Sequence, residues 1–464
     1  MPRQNSKETV FFCTECGYES KKWLGQCPAC HSWNSFSEEP VVRSTGSKAS
    51  SEKTKARPAK KPVRLSDIDA NAETRMDTGF PEFSRVLGGG IVPGSLVLIA
   101  GDPGIGKSTL LLQTAVSSAS GGRSVLYISG EESLAQIRLR ADRIGHMDGD
   151  LRFLSETDLS EIESVIGKER PDICILDSVQ TMYSTDIASA PGSVSQVREC
   201  AQRMMMLAKE ENIAIFLVGH VTKEGTVAGP RVLEHIVDTV LYFESGDNGA
   251  FRILRSAKNR FGSTNEIGVF EMGHEGLSEV SDPSELMLSD RPEHASGTVV
   301  TCLLEGTRPI LAEVQGLVCE SAFGMPRRQA SGIDYNRLSL LLAVMEKRGG
   351  LPLGRCDAYV NVAGGMKVSE PSADLAVIAA VFSSMRDIEI PDDTIVFGEV
   401  GLSGEVRSVR QAEERIKEAR KLGFRRCILP RYCVSRCRDM AGDLELIGVR
   451  YIRELFGVLE GKRS

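Results

Sequence analysis

Between residues 65 and about 285, short apolar runs alternate with stretches of helical periodicity. Leu96–Ala100 is apolar throughout and gives way to a glycine-rich turn, after which "KSTLLLQTAVSSAS" carries an amphipathic helical pattern. Further apolar runs occur in "SVLYIS", "DICILD" and "NIAIFLVG", each bounded by polar or turn-forming residues. Runs of this length are strands buried on both faces, and their alternation with helices predicts an α/β domain around a parallel sheet. A polar joint, "EVSDPSELMLSDRPEHASG", interrupts the pattern, and from 286 to Ser464 strands and helices mix again, as in an α+β domain. Upstream, residues 39–64 show no periodicity. Within them "RSTGSKASSEKTKARPAKKPVR" holds eight basic residues against one acidic, a flexible basic linker that buries too little apolar surface to fold alone. Residues 1–38 hold four cysteines in paired spacing. The expected organisation is therefore 1–38, 39–64, 65–285 and 286–464, with no short-period repeat.

Composition narrows this picture in three ways. A chain of 464 residues exceeds one hydrophobic core, and 41% hydrophobic with 26% charged residues is ordinary globular composition. No apolar run approaches the roughly 18 residues that span a bilayer. "MPRQNSKETVFFC" lacks the apolar core of a signal peptide, so a cytoplasmic location is expected. A net charge of −7 means that any nucleic acid must be held by local basic patches. Twelve cysteines in such a chain are expected to be reduced thiols or metal ligands rather than disulfides.

Cys13, Cys16, Cys27 and Cys30 form two CxxC knuckles ten residues apart. Each knuckle offers two thiolates from one tight turn, which suits tetrahedral Zn²⁺ in a closed structural site. His31 abuts the last cysteine and is expected to be a bystander. Cys174 and Cys302 lie in apolar runs and read as core residues.

The strongest chemical signal follows the Leu96–Ala100 run. Gly101-Asp102-Pro103-Gly104-Ile105-Gly106-Lys107-Ser108 is a phosphate-binding loop in the strand–loop–helix setting that such a loop requires. Its glycines let backbone N–H groups wrap phosphates, Lys107 reaches the β/γ oxygens, and the Ser108 hydroxyl binds Mg²⁺. Thr109 is expected against the α-phosphate. "DICILD" ends in Asp177, suited to orienting the water of the metal. Many P-loop machines place a glutamate directly after that aspartate, but here the next residue is Ser178. The expected base is Glu131, delivered by the end of "SVLYIS" at the ligand-binding edge of the sheet, with Glu132 in reserve. A solvated helix start is the plain alternative for both.

This arrangement resembles the RecA class of ATPases. The resemblance implies that His220, ending "NIAIFLVG", senses the γ-phosphate. It also implies that two loops touch DNA: "HVTKEGTVAGPRVLEH", which carries Lys223, and "MYSTDIASAPGSVSQVREC". In the C-terminal region, "GGMKVSEPSADLAVIAAVFSS" and "GEVGLSGEVRSVRQAEERIKEARKLGFRRCILP" resemble the Lon protease domain over some 170 residues. Ser372 takes the place of the nucleophile, but the lysine-containing segment reads Glu413-Glu414-Arg415. A guanidinium with a pKa above about 12 cannot deprotonate a serine, so this domain is expected to be proteolytically inactive. Arg407, Arg410, Arg415, Lys417, Arg420, Lys421, Arg425 and Arg426 are expected to make a basic surface on it.

Lys258-Asn259-Arg260-Phe261-Gly262 completes the set. A zinc ribbon, a RecA-type ATPase, "KNRFG" and a Lon-like tail, in that order, resemble the bacterial RadA (Sms) family of DNA repair proteins over nearly the whole chain. The resemblance implies a hexameric, DNA-stimulated ATPase that drives branch migration in homologous recombination. Its implied cofactors are ATP, Mg²⁺ and Zn²⁺; its implied partners are single-stranded and branched DNA, a RecA-type recombinase and copies of itself. Lys258 and Arg260 are then candidates for stabilising phosphoryl charge across a subunit interface or for contacting DNA phosphate. Phe261 is a candidate for base stacking, Asn259 for the same coupling surface, and Gly262 for the turn. Two rival functions stand beside this one: an ATP-dependent Lon-type peptidase, and a regulatory ATPase of the RecA superfamily without motor activity.

Overall fold

The computed structural model describes residues 8–13, 18–29, 31–41, 64, 75–145, 149–220, 232–245, 251–288, 291, 294–321, 326–363, 368 and 370–462. Contacts divide the chain into two compact units, 1–244 with 252–279 and 245–251 with 280–464. Among the described residues no helix is long and apolar enough to cross a membrane.

At the N-terminus β1 (Glu8–Cys13) pairs antiparallel with β2 (Glu19–Ser20) and β3 (Phe36–Val41). This small sheet has almost no core of its own: Cys13, Cys27 and Phe36 are its buried apolar side chains among the described residues.

The larger sheet of the first unit contains β4 (Leu96–Gly101), β5 (Val125–Ser129), β6 (Leu151–Ser155), β7 (Ile173–Asp177), β8 (Ala214–His220), β9 (Thr239–Ser245), β10 (Phe251–Asn259), β11 (Ile267–Gly273) and β12 (Gly276–Glu279). Their order is β12-β11-β10-β9-β4-β8-β7-β5-β6. From β9 to β6 every neighbouring pair is parallel, and β11–β12 closes one edge as an antiparallel hairpin. The remaining elements are α1 (Pro81–Val86), α2 (Lys107–Ser120), α3 (Leu134–Ile144), α4 (Leu159–Glu169) and α5 (Val194–Glu211). Alternate residues of one strand face different layers. Val97 and Ile99 pack with Leu110 and Leu111 of α2, whereas Leu96 and Leu98 share a cluster with Ile162 of α4 and Val197 of α5. Cover on both faces is why these strands read as unbroken apolar runs. Each later helix starts on a polar cap: Ser133 in a reciprocal capping box with Gln136, Asp158, and Ser193.

The second unit begins with α6 (Pro283–Leu288). It is built on β13 (Thr298–Glu305), β14 (Arg308–Glu320), β15 (Arg328–Ser331), β16 (Cys356–Val362), β17 (Thr394–Val396), β20 (Arg426–Pro430) and β21 (Glu445–Val449), with β18 (Glu399–Val400) and β19 (Val406–Arg407) as a separate hairpin. The sheet order is β15-β16-β14-β13-β17-β20-β21, antiparallel across β13–β14–β16 and parallel elsewhere. The other helices are α7 (Tyr335–Val344), α8 (Asp374–Arg386), α9 (Ala412–Lys421), α10 (Arg431–Ala441) and α11 (Ile452–Leu459). Helix α8 is apolar on every side, and residues 374–383 are all buried. A helix that is apolar all round belongs in the middle of a core.

Candidate functional site

The phosphate loop joins β4 to α2 at the C-terminal edge of the parallel strands. Gly104 and Gly106 hold φ of +76° and +114°, where a side chain would be strained. Gly106 precedes Lys107 as a helix cap without a side-chain hydrogen bond, so the first N–H groups of α2 are left to an outside acceptor. A Cβ at Gly104 would meet nothing within 4 Å. Lys107 is 3% exposed and donates to the carbonyls of Gly101 and Asp102, both at 2.9 Å. Burial pulls its pKa down to about 8, although Asp177, Glu131 and Asp102 oppose the shift. A cradle of free N–H groups with a buried ammonium fits a polyphosphate, and the hard oxygens of Ser108 and Asp177 fit Mg²⁺.

Three strands deliver the groups that face this loop. Asp177 ends β7, Glu131 follows β5 by two residues, and His220 ends β8. The Glu131 carboxylate accepts from the Ser178 hydroxyl at 2.5 Å and contacts His220 Nε2 at 3.2 Å. The His220 bond, aided by Ser178, holds the Glu131 carboxyl down at about 2 despite partial burial. Glu132 points into different company. It forms an ion pair with Arg140 of α3 at 2.9 Å, and its N–H donates to Ser129 Oγ. The structure therefore groups Glu131, Asp177, Lys107 and His220 and turns Glu132 away. Ser178 is a partner that sequence reasoning missed; its signal was its place directly after the aspartate, where many P-loop machines carry a glutamate.

Lys223 lies outside the described residues. Lys258 and Arg260, at and just beyond the end of β10, are held from within the first unit. Lys258 Nζ donates to the carbonyls of Glu234 and Val237, at 2.6 and 2.8 Å. Arg260 pairs with Asp238 at 2.9 Å, and its side chain is half-exposed. Asp238 is 1% exposed and also takes Lys209 at 2.8 Å and the Leu96 N–H at 3.1 Å, so one buried carboxylate ties the pentad to the first residue of the phosphate-loop strand. The Asn259 amide is spent inside the chain, donating to the Val86 carbonyl and accepting from the Phe261 N–H. The Phe261 ring lies 5.7 Å from Lys209 Nζ. Gly262 lies in the bend after β10 and permits a close approach: a Cβ there would fall 2.8 Å from Gly88 Cα.

In the ribbon Cys13 and Cys27 are fully buried thiols, neither in a disulfide; Cys16 and Cys30 lie outside the described residues. The Cys13 N–H donates to the Tyr18 carbonyl and the Cys27 N–H to Ser32, closing a turn after each cysteine. Two buried thiols on such turns, with little apolar packing around them, fit a structural thiolate-bound metal. Cys174 and Cys302 are fully buried in strands.

Ser372, in the second unit, is 2% exposed and accepts from Arg415 Nη1 at 3.1 Å. Arg415, from the segment that replaces the lysine-containing one, therefore meets the Ser372 hydroxyl. The expected basic surface has to be corrected here: Arg415 is 0% exposed and forms a two-pronged pair with Glu370, both bonds 2.8 Å. It also donates to the carbonyls of Arg410 and Cys302 and lies beside the Phe397 ring. An exposed helix face carries the neighbouring charges, but position 415 turns inward with Ala412, Ile416 and Ala419. Among the described residues the side chain bonded to the Ser372 hydroxyl is thus a guanidinium locked on a carboxylate, which is no proton acceptor.

Fold and site define a class: a RecA-type P-loop ATPase with an N-terminal zinc ribbon and a C-terminal Lon-like domain. Three family models match the chain. "AAA domain" matches residues 59–226, "Rubredoxin metal binding domain" 11–38 and "Subunit ChlI of Mg-chelatase" 343–432. DNA repair protein RadA of Bacillus subtilis is 52% identical over 447 residues, covering 96% of this chain and 97% of that protein. RadA of Halalkalibacterium halodurans is 50% identical, covering 98% and 99%, and that of Listeria monocytogenes 50%, covering 97% of each. The chain belongs to the RadA family of DNA repair proteins.

Proposed function

We propose that the chain is a DNA-dependent ATPase and helicase that promotes branch migration of recombination intermediates. The observation that carries this reading is the Glu131–His220 contact. His220 is the last residue of β8, and its Nε2 lies 3.2 Å from the Glu131 carboxylate. A group bonded to Glu131 in one state and to a γ-phosphate in another couples the end of β8 to the state of the nucleotide. In the reaction, ATP and Mg²⁺ supply the phosphoryl group and the charge that neutralises it. Lys107 and the α2 N–H groups bind the phosphates, Ser108 and Asp177 hold the metal shell, and Glu131 aligns the attacking water. The low pKa of Glu131 keeps it an anion, hence a hydrogen-bond acceptor, throughout the working range.

The pentad supports an assembled enzyme. The Arg260 guanidinium is half-exposed, and a neighbouring subunit in a hexameric ring would present such a cation to a shared nucleotide or to a DNA strand. Zinc in the four-cysteine ribbon, single-stranded and branched DNA, and a RecA-type recombinase complete the reading. Peptidase activity is disfavoured by the Arg415–Ser372 contact. The test is a three-strand exchange with purified protein, run beside ATPase assays with and without poly(dT). Heteroduplex extension and DNA-stimulated turnover are expected, and Lys258→Ala is expected to bind ATP yet lose both. Equal turnover with and without DNA, and no extension, would leave the regulatory ATPase as the better reading.

A further inference from the structure

We infer that Tyr127 is a positioning residue for the metal-binding carboxylate, fixing which oxygen of Asp177 faces Mg²⁺. The inference rests on the reading of Asp177 as the residue that holds the metal's water. Tyr127 is the central residue of β5 and Asp177 the last of β7, two adjacent parallel strands in register, with Tyr127 opposite Ile175 and Ser129 opposite Asp177. Residues two apart share a face of the sheet, so the Tyr127 ring lies on the face that carries Asp177. The ring is fully buried, beside Phe153 at a centroid distance of 5.8 Å, and cannot swing away. Its hydroxyl donates to Asp177 Oδ2 at 2.5 Å. Arg140 Nη2 donates to the same phenol oxygen at 3.5 Å and is anchored by Glu132 at 2.9 Å. Glu132, Arg140, Tyr127 and Asp177 thus form one chain of polar contacts, running from the start of α3 to the edge of the phosphate loop.

Carboxylates turn readily about their last torsion, and a metal-bound water needs one oxygen in one place. A short bond from a buried phenol to Oδ2 removes that freedom and leaves Oδ1 as the oxygen presented to the metal shell. The phenol is fully buried, and its short bond is to Asp177, so its effect on the metal site passes through that carboxylate. Outer-shell partners of this kind commonly change metal affinity or activity by about 10- to 100-fold when removed. The role also explains the polar tip on an otherwise apolar position: Tyr127 sits among Val97, Ile99, Leu111 and Phe216, where phenylalanine would pack as well.

The experiment uses the full chain and a fluorescent ADP, whose Kd is measured with excess Mg²⁺ and again in EDTA. The EDTA value divided by the Mg²⁺ value isolates the metal's contribution from that of the loop. Tyr127→Phe keeps the ring and is expected to lower that ratio by about tenfold with EDTA affinity nearly unchanged, while the lost bond to a buried carboxylate lowers the melting temperature by a few degrees. Asp177→Asn is expected to lower it at least as far, and Tyr127→Phe added to Asp177→Asn to change nothing more. A residue that merely supports the fold would shift both affinities together and leave their ratio intact, and would do so in either background. An unaltered ratio in Tyr127→Phe, with Asp177→Asn still effective, overturns the role of Tyr127 alone. If Asp177→Asn leaves the ratio intact, the metal reading of Asp177 fails and the inference with it.

Discussion

Replacing Arg415 with methionine should destabilise the second unit severely, and the size follows from what the guanidinium holds. It is 0% exposed, grips both oxygens of Glu370, and satisfies Ser372 Oγ and the carbonyls of Cys302 and Arg410. Methionine preserves most of the volume but leaves these acceptors facing an apolar side chain. Removing one partner of a buried ion pair costs about 3–5 kcal/mol. Glu370 is 23% exposed, so water can reach part of it, and the lower end, about 3 kcal/mol, is the better figure. For a unit of this size each kcal/mol moves the midpoint by about 2–4 °C, which gives a fall of about 6–12 °C. Calorimetry of the full chain would show this as one shifted transition, with the ATPase transition left in place. Arg415→Met combined with Glu370→Gln should recover much of the loss, because no carboxylate is then stranded. Arg415→Lys should fall between wild type and methionine and hydrolyse no casein, since its ammonium would still be held by Glu370. A melting temperature within about 1 °C of wild type for Arg415→Met would refute the claim that this residue is a structural lock.

Nucleotide affinity should fall as pH rises through about 8. Burial favours the neutral form of Lys107 in the free protein, while phosphate needs the cation, so binding above that pH must take up a proton. Calorimetric titrations with ADP in buffers of different ionisation enthalpy would measure that proton, and a pH-independent affinity up to pH 10 would count against it. Glu131→Gln should reduce kcat by at least about 100-fold with little change in ATP binding, whereas Glu132→Gln should cost far less, as its carboxylate faces Arg140; single-turnover ATPase assays separate the two. Asp238→Asn can keep the Leu96 bond while loosening Lys209 and Arg260, and should cut the poly(dT)-stimulated increment by about tenfold while sparing basal turnover. Cys27→Ser should release bound zinc and unfold the ribbon, read by metal analysis of the purified protein, because so little apolar core remains to hold it.

The residues that were legible in the sequence share one property: their chemistry depends on neighbours along the chain. A phosphate loop is contiguous, each CxxC knuckle is contiguous, and the strands around them had to be apolar at every position because both faces of the sheet are covered. That is why β4, β7 and β8 end where their apolar runs end, at Gly101, Asp177 and His220. The sequence already places Glu131 ahead of Glu132, but what separates their surroundings is three-dimensional. Both leave the same strand, and only the approach of Ser178 and His220 on one side and Arg140 on the other distinguishes them.

Tertiary structure decided more where charge was involved. Position 415 reads as one cation in a row of exposed ones, and its helix buries it because the turn phase sets it beside Ala412, Ile416 and Ala419, where Glu370 waits from a distant segment. The pentad reads as free cations and proves to be braced by Asp238 and two carbonyls contributed about twenty residues earlier. A sequence fixes which faces are apolar and which loops are contiguous, since those follow from local periodicity. Which carboxylate meets which cation depends on contacts between segments far apart, and these exist only once the backbone has folded.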